Sequence, residues 1–476
     1  MSSTRVSLLF SFSEKYLLLI VSTAGTMVLA RLLTPEETGI YSVAAVLVGL
    51  AQVLRDFGIG QYVIQAPQLG TADLRAVLGA SYLASAVLAL ALAAASGTLA
   101  AFYGEPGIAR VVQLLAVNIL LVPLVSVTLP LLRREMRFGA VCAVNLASGV
   151  SATLVSVLLA WRGFGYASMA WGVLAGTGAG VLASLAVRPR GMPWLPSHRG
   201  MRKVFGFGAY ATAGTLVDEA GNSAPDLIIG KMIGMEGAGL YAKAQAILAV
   251  FRQAVLAAVT PVLLPLYAAR ARESGGASGA FLSTVGYLTA CAWPFYAFVA
   301  ATAPELVRVL YGDQWDRAAI LIRIMCIAAA LYSMGTVSRY LLVAIGQVRL
   351  QARLDALAAL ARIVLLLAAC GAGLEAAAWA MVATAAIRTW LTFRYLARAA
   401  AISAGQLARS CVRSALVTLA SGAAALSMAG QGDGLVSLVS AACATGAAWL
   451  AALFLVRHPM RGELQLAWRR IAGALT

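Results

Sequence analysis

The chain has 476 residues, 61% of them hydrophobic and only 12% charged, against about 25% charged in an ordinary soluble domain. Lys and Arg (36) outnumber Asp and Glu (19), a formal charge of +17, yet so apolar a chain has no polar surface on which a nucleic-acid-binding stripe can lie. The hydrophobicity excludes disorder, and six scattered cysteines with no C-x-x-C pair exclude a disulfide scaffold.

A bilayer core takes roughly 20 apolar residues per helix. That ruler predicts an all-α polytopic membrane protein of about fourteen transmembrane helices. Spans 1 to 6 are expected at 13–33, 38–54, 76–101, 111–132, 139–160 and 166–187. Spans 7 to 12 follow at 204–232, 239–267, 279–303, 318–345, 354–372 and 376–394, and the last two at 412–429 and 435–456. The first apolar run leads straight into further spans, so no cleavable signal is expected. The longest connection runs from Arg188 to Lys203, which leaves no room for a soluble catalytic domain.

With the N-terminus inside, about 24 of the 36 Lys and Arg fall in cytoplasmic segments and about 6 outside. The largest groups are Arg188, Arg190, Arg199, Arg202 and Lys203, then Arg394, Arg398, Arg409 and Arg413, then Arg457, Arg461, Arg469 and Arg470. One missed helix would invert every later loop, so this bias predicts an even span number with both termini cytoplasmic.

An internal repeat divides the spans. ARLLTPEETGIYSVAAVL from position 30 aligns without a gap on GKMIGMEGAGLYAKAQAIL from position 230, so that Arg31 meets Lys231, Glu36 meets Glu236, Gly39 meets Gly239 and Tyr41 meets Tyr241. Phe102-Tyr103-Gly104-Glu105 echoes Leu310-Tyr311-Gly312-Asp313 at the matching place in the second half. Six spans separate the copies, so the halves have the same orientation, as two parallel six-helix lobes with a substrate path between them. The expected domains are an N-lobe 1–200, a C-lobe 201–400, and spans 13 and 14 with a cytoplasmic tail over 401–476.

A first span ending in Arg-Leu-Leu-Thr-Pro-Glu-Glu-x-Gly-Ile-Tyr (31–41) resembles the multidrug/oligosaccharidyl-lipid/polysaccharide flippase superfamily in its polysaccharide transporter, Wzx-like branch. Asp226-Leu-Ile-Ile-Gly-Lys with Gly239-Leu-Tyr241 resembles the same branch at the start of its second half. The resemblance covers most of residues 5–400. It implies a flippase of the bacterial inner membrane that moves undecaprenyl-diphosphate-linked oligosaccharide between leaflets for lipopolysaccharide or exopolysaccharide biosynthesis. It implies no enzymatic activity, and a polysaccharide polymerase as a partner.

Ionisable residues deep in a span cost roughly 2.5–3.5 kcal/mol each on insertion scales, which makes them functional candidates. Span 7 carries Asp218, Glu219, Asn222 and Asp226, with Asp218, Asn222 and Asp226 on one face and Pro225 expected to bend the helix. Span 8 carries Lys243, Gln245, Arg252 and Gln253. At 1.5 Å per residue, Asp218 and Arg252 both lie roughly 20 Å in, so a pair of Asp218 or Glu219 with Arg252 is physically possible. Spans 10 to 12 add Arg323 and Arg362, with Arg339 and Arg388 expected to snorkel to the cytoplasmic interface.

Arginine suits a lipid diphosphate through bidentate hydrogen bonds. The substrate-binding candidates are therefore Arg252, Arg323, Arg362 and Lys243, together with Arg31 and Lys231, which close spans 1 and 7 at the outer interface. Asp218, Glu219 and Asp226 are candidates for ion pairing or for Na⁺ or proton coupling, with no resident cofactor or metal. Gly172, Gly176 and Gly180 of span 6 are expected to form a helix-packing face. No nucleotide-binding loop or catalytic constellation is present, and His198 and His458 have no ligand at metal spacing. Two rival readings are a cation-coupled multidrug exporter of the same superfamily and a membrane-embedded glycan polymerase or acyltransferase.

Overall fold

A computed structural model describes residues 2–466 except 57–58, 67–68, 190, 273–275 and 431–433. Arg190, Arg469 and Arg470 of the loop count therefore lie outside the described residues. Among the described residues there is helix and no strand. The chain divides into two compact units, Met1–Ala242 and Lys243–Thr476.

The first unit holds α1 (Ser2–Leu32), α2 (Pro35–Asp56), a short α3 (Ile59–Gln65), α4 (Thr71–Tyr103), α5 (Pro106–Arg134), α6 (Phe138–Trp161), α7 (Ala167–Ala186) and α8 (Met201–Met232). It also takes in the first half of α9 (Met235–Phe251). The motif at 31–41 is a helix-stop followed by a helix-start. The Glu37 carboxylate accepts the Thr34 backbone N–H at 2.9 Å, and the Thr34 hydroxyl accepts the Glu37 N–H at 3.2 Å. This reciprocal capping box is completed by Pro35 at the first helical position. The two acids sit at the positive end of the α2 dipole.

The turn at 102–105 is built by the same logic. Gly104 adopts φ 74° and closes α4 with Glu105 N–H on Ala100 C=O at 3.0 Å, a Schellman stop. The Glu105 carboxylate then accepts the Gly107 N–H at 3.2 Å and starts α5. Arg134 donates to the carbonyls of Val63 and Ala66 at 2.9 and 2.6 Å and so ends α3.

Small residues set the packing of this unit. A Cβ on Gly176 would meet Ser148 C=O and Ala152 Cβ at 2.7 Å, and one on Gly172 would meet Ala152 C=O at 2.6 Å. The glycine stripe of α7 thus lies against α6 inside the molecule, as expected of a packing face.

The second unit begins in α9, passes a π-helical turn (Arg252–Leu256), and continues through α10 (Ala257–Ala271), α11 (Gly276–Ala301), a short α12 (Ala303–Leu310), a 3₁₀ turn (Asp313–Trp315), α13 (Ala318–Gly335) and α14 (Ser338–Ala344). It closes with α15 (Val348–Cys370), α16 (Leu374–Ala399), α17 (Ala404–Met428) and α18 (Gly434–Leu455). Tyr311 ends α12, and Gly312 after it, at φ 97° and ψ 169°, leads into the 3₁₀ turn; the echo of Gly104 is thus one of position, since Gly104 itself ends α4 in the left-handed region.

The last two helices, for which the sequence offers no motif, pack on α11. Trp449 Nε1 donates to Ala290 C=O at 2.7 Å, and Thr289 Oγ1 lies 2.9 Å from Ser414 Oγ. Ala290, Val417, Ala452 and Leu453 form the buried centre of that contact.

Each predicted span falls on helical chain, spans 8 and 10 on two helices each and the others on one. Ten helices among the described residues are long and apolar enough to cross a membrane, or eleven counting the bent pair Met235–Leu256 and Val259–Ala271. The charge-rich α8, α15 and α16 are outside that group. The helix α8 runs through Pro225 without a break. The break falls instead in span 8, where the π turn separates two segments bent by 50°.

Candidate transport site

In the first unit α8 packs against α2 and α4. Asp226 is half-buried, and its carboxylate accepts the Ser42 hydroxyl of α2 at 3.4 Å. Glu219 accepts from Ser223 one turn along at 3.3 Å, and Asp218 is also half-buried. Asp226 is thus tied to a neighbouring helix through Ser42, the residue after the motif tyrosine Tyr41. Lys231 is exposed, with its ammonium donating to Phe102 C=O and standing 4.6 Å over the Phe102 ring. Arg31 is exposed at the end of α1.

The two copies of the first repeat touch. A Cβ on Gly39 would fall on the carbonyl of Met235, and a Cβ on Gly239 would fall on the carbonyl of Pro35. Met235 is the repeat partner of Pro35, and Gly239 of Gly39. The contact is therefore reciprocal, which is the mark of a local twofold axis between α2 and the start of α9. Only glycine permits this approach of two backbones.

The second unit holds the candidate cations Lys243, Arg252, Arg323 and Arg362. Arg252 is exposed and opens the π-helical turn, with exposed Gln253 beside it. Such π turns recur at functional sites because they re-aim side chains within a helix. Lys243 is only 6% exposed and lies 5.3 Å from the ring centroids of both Tyr311 and Trp315. It is thus enclosed by aromatic faces, and its partners are the second-echo tyrosine and the fully buried Trp315. Arg323 is exposed on α13 and donates to Ala300 C=O at 3.3 Å. Arg362 is 8% exposed on α15.

Arg388 pairs with Asp355 at 2.9 Å, with side-chain exposures of 19% and 12%. Gln351 Nε2 also donates to Asp355 at 2.8 Å, and Arg388 stands 4.9 Å over the Tyr332 ring. Sequence reasoning missed Asp355. Its signal was the spacing of Gln351, Asp355 and Arg362, which places all three on one face of α15.

Asp218 and Glu219 belong to the first unit and Arg252 to the second. Among the described residues no cluster of three or more His, Cys, Asp or Glu has the geometry to hold a metal.

A family profile described as "Polysaccharide biosynthesis protein" matches residues 28–320. Curated relatives include the teichuronic acid biosynthesis protein TuaB of Bacillus subtilis, 23% identical over 286 residues, or 59% of each chain. The succinoglycan biosynthesis transport protein ExoT of Rhizobium meliloti is 27% identical over 300 residues, covering 60% of this chain and 58% of that one. The lipopolysaccharide biosynthesis protein WzxC of Escherichia coli is 21% identical over 324 residues, covering 65% and 63%. The chain thus spans about three fifths of the length of the curated relatives it matches.

Among solved structures the lipid II flippase MurJ, in an inward closed conformation, superposes with a TM-score of 0.75 at 11% identity, over 94% of this chain and 99% of that one. An inward-facing multidrug resistance MATE family transporter of the MOP superfamily gives 0.65 at 14%, over 81% and 94%. At these identities the likeness is one of fold. The chain is a member of the polysaccharide biosynthesis protein family, a multi-pass protein of the bacterial inner membrane with the fold of the multidrug/oligosaccharidyl-lipid/polysaccharide flippase superfamily.

Proposed function

We propose that the chain is a flippase that moves undecaprenyl-diphosphate-linked oligosaccharide repeat units from the cytoplasmic to the periplasmic leaflet. In this reading all fourteen helical segments cross the membrane, α8, α15 and α16 among them, and both termini are cytoplasmic. Two six-span lobes with their repeat border near residue 200 rock in alternating access about a cationic cavity, and α17 and α18 are additions to the second lobe. The sugar and diphosphate pass through the cavity while the polyprenyl tail stays in lipid.

The observation that carries the reading is the exposed Arg252 at a π turn inside a span, in a chain of a polysaccharide biosynthesis family. An arginine kept deep and unburied has a purpose only if a polar or anionic group visits it. A diphosphate fits, because guanidinium binds it bidentately. Arg323 supplies a second exposed guanidinium, while Arg362 adds buried positive charge. Lys243 is enclosed by Tyr311 and Trp315, so its role in this scheme is to position the 311–315 turn rather than to meet substrate. Arg31 and Lys231 act at the outer ends of their spans, where the substrate leaves. Asp226, held by Ser42, is the acid best placed to couple transport to Na⁺ or a proton, and Asp218 and Glu219 serve as counter-charges.

The test is deletion of the gene followed by extraction of lipid-linked intermediates. Undecaprenyl-linked repeat units accumulating in the inner leaflet support the flippase, and a polysaccharide polymerase remains its proposed downstream partner. A deletion that leaves these intermediates at wild-type level and instead raises drug susceptibility would transfer the protein to the multidrug reading.

A further inference from the structure

The connection between α7 and α8 has an unusual build. Its backbone is tied down: Ser197 N–H donates to Arg75 C=O at 2.9 Å, and Met192 is buried in the cluster of Ile59, Tyr62, Leu74, Val127 and Leu131. Gly79 of α4 leaves the space that the Ser197 carbonyl and Met201 fill. On this anchored base two large apolar side chains stand out, Trp194 at 72% exposed and Leu195 at 67%. Arg188 braces them. Its guanidinium donates to Met192 C=O at 3.0 Å and Pro193 C=O at 2.7 Å and lies 3.5 Å from the centre of the Trp194 ring. Pro193 and Pro196 flank the pair and restrict the backbone on both sides.

We propose that this loop is a docking element for the anionic headgroups of the cytoplasmic leaflet, with Trp194 and Leu195 inserted at the level of the glycerol backbone. The residues lie in irregular backbone outside the helices, so they do not face the hydrocarbon core as span residues do. An adjacent Trp and Leu left uncovered by an anchored loop mark an interaction surface, and tryptophan belongs at the headgroup level. The occupant follows from charge. Residues 188–203 include Arg188, Arg190, Arg199, Arg202 and Lys203 and no Asp or Glu. That excess matches a surface of acidic phospholipid. The described loop residues His198 and Arg199 are exposed on the same segment. The proposal rests on the cytoplasmic orientation of the flippase reading.

The experiment uses the full-length chain with Leu195→Cys in a Cys443→Ser background, because Cys443 is the exposed native thiol. An environment-sensitive dye on position 195 is read in proteoliposomes of phosphatidylethanolamine with phosphatidylglycerol, and in phosphatidylcholine alone. The expected result is blue-shifted emission, protection from aqueous iodide, and quenching by a lipid spin-labelled near the headgroup that is at least about twofold stronger in the anionic vesicles. Arg199→Gln lowers that quenching, and Trp194→Ser, read with the same dye, lowers it in both lipids. Water-like emission with full iodide access in both vesicle types would overturn the proposal, as would shielding that appears only on addition of a soluble protein. Orientation is read separately. A membrane-impermeant thiol reagent should label His198→Cys, made without Leu195→Cys in the same Cys443→Ser background, in inside-out vesicles and not in spheroplasts, because His198 is the exposed polar residue of the same loop. Labelling in spheroplasts would sink the orientation while leaving the depth measurement valid on its own.

Discussion

The two units share a sequence repeat but place different ionisable groups beside it. Each contains one tyrosine–glycine turn that follows a helix, at Gly104 and at Gly312. In the first unit the turn serves acids and exposed termini: Tyr103 reaches the Leu227 carbonyl of α8 at 3.5 Å, on the helix that carries Asp218, Glu219 and Asp226. In the second unit the matching tyrosine, with Trp315, encloses a cation. Fold and payload are thus separable. A repeat can preserve its turns, which cost little sequence, while its halves diverge in the ionisable residues that their helices carry.

The largest effect should come from the one contact that both copies share. Gly39→Leu or Gly239→Leu drives a side chain into a backbone carbonyl that no rotamer can relieve, so we expect loss of folded protein in either case. Gly97→Leu, where nothing lies within 4 Å, should fold normally. Size-exclusion profile and thermal midpoint in detergent report the outcome. If one repeat glycine tolerates leucine and the other does not, the contact is not reciprocal.

Next comes the partly buried ion pair between α15 and α16. Asp355→Ala strands Arg388, partly buried, and should cost about 3 kcal/mol. Adding Arg388→Ala should recover part of that loss, as measured by a double-mutant cycle of unfolding free energies. Additive losses would mean that the pair is not coupled.

A smaller effect is expected at the C-terminal contact of the second unit. His458 is 1% exposed; Met460 N–H donates to its Nδ1 at 3.2 Å, so the proton sits on Nε2, 3.3 Å from Ser414 Oγ. Burial pushes the imidazole pKa down, and nearby Arg413 adds to the shift. The unfolded chain then binds the proton more readily than the folded one. Stability is full above the ordinary histidine value of about 6.5 and falls as pH drops through it toward the lowered folded value. His458→Asn should flatten this slope in a melting series from about pH 8 to about pH 5. The smallest effect belongs to Arg308 and Asp316, bonded at 2.7 Å but exposed. Each raises the charge preference of the other, yet Arg308→Gln should barely move the thermal midpoint, less still in high salt.

Much of this was legible in the sequence. The spans follow from hydropathy, and the repeat already put the 31–41 motif and the two tyrosine–glycine pairs between spans, while the capping box at Thr34 and Glu37 and the left-handed Gly104 came with the structure. The glycine stripe of α7 was legible as a packing face. What escaped were pairings between distant positions. Nothing local joins Lys243 to Tyr311 and Trp315, or Asp355 to Arg388, and the repeat aligned Gly39 with Gly239 without saying that they touch. The π turn at Arg252 also left no local mark, since Pro261 and Pro265 lie a turn or more beyond it. The bend expected at Pro225 appeared there instead, because a proline removes one hydrogen bond whereas a π turn shifts the whole register of the helix.

The central claim is that Arg252 meets the diphosphate of a lipid-linked oligosaccharide. It is tested most directly in cells deleted for the gene and complemented with wild type, Arg252→Ala or Arg252→Lys at equal protein levels, by quantifying undecaprenyl-diphosphate-linked repeat units in the inner leaflet. The account predicts clearance by wild type, accumulation with Arg252→Ala near the deletion level, and partial clearance with Arg252→Lys, which keeps the charge and loses the bidentate fork. Clearance by Arg252→Ala equal to wild type would contradict it.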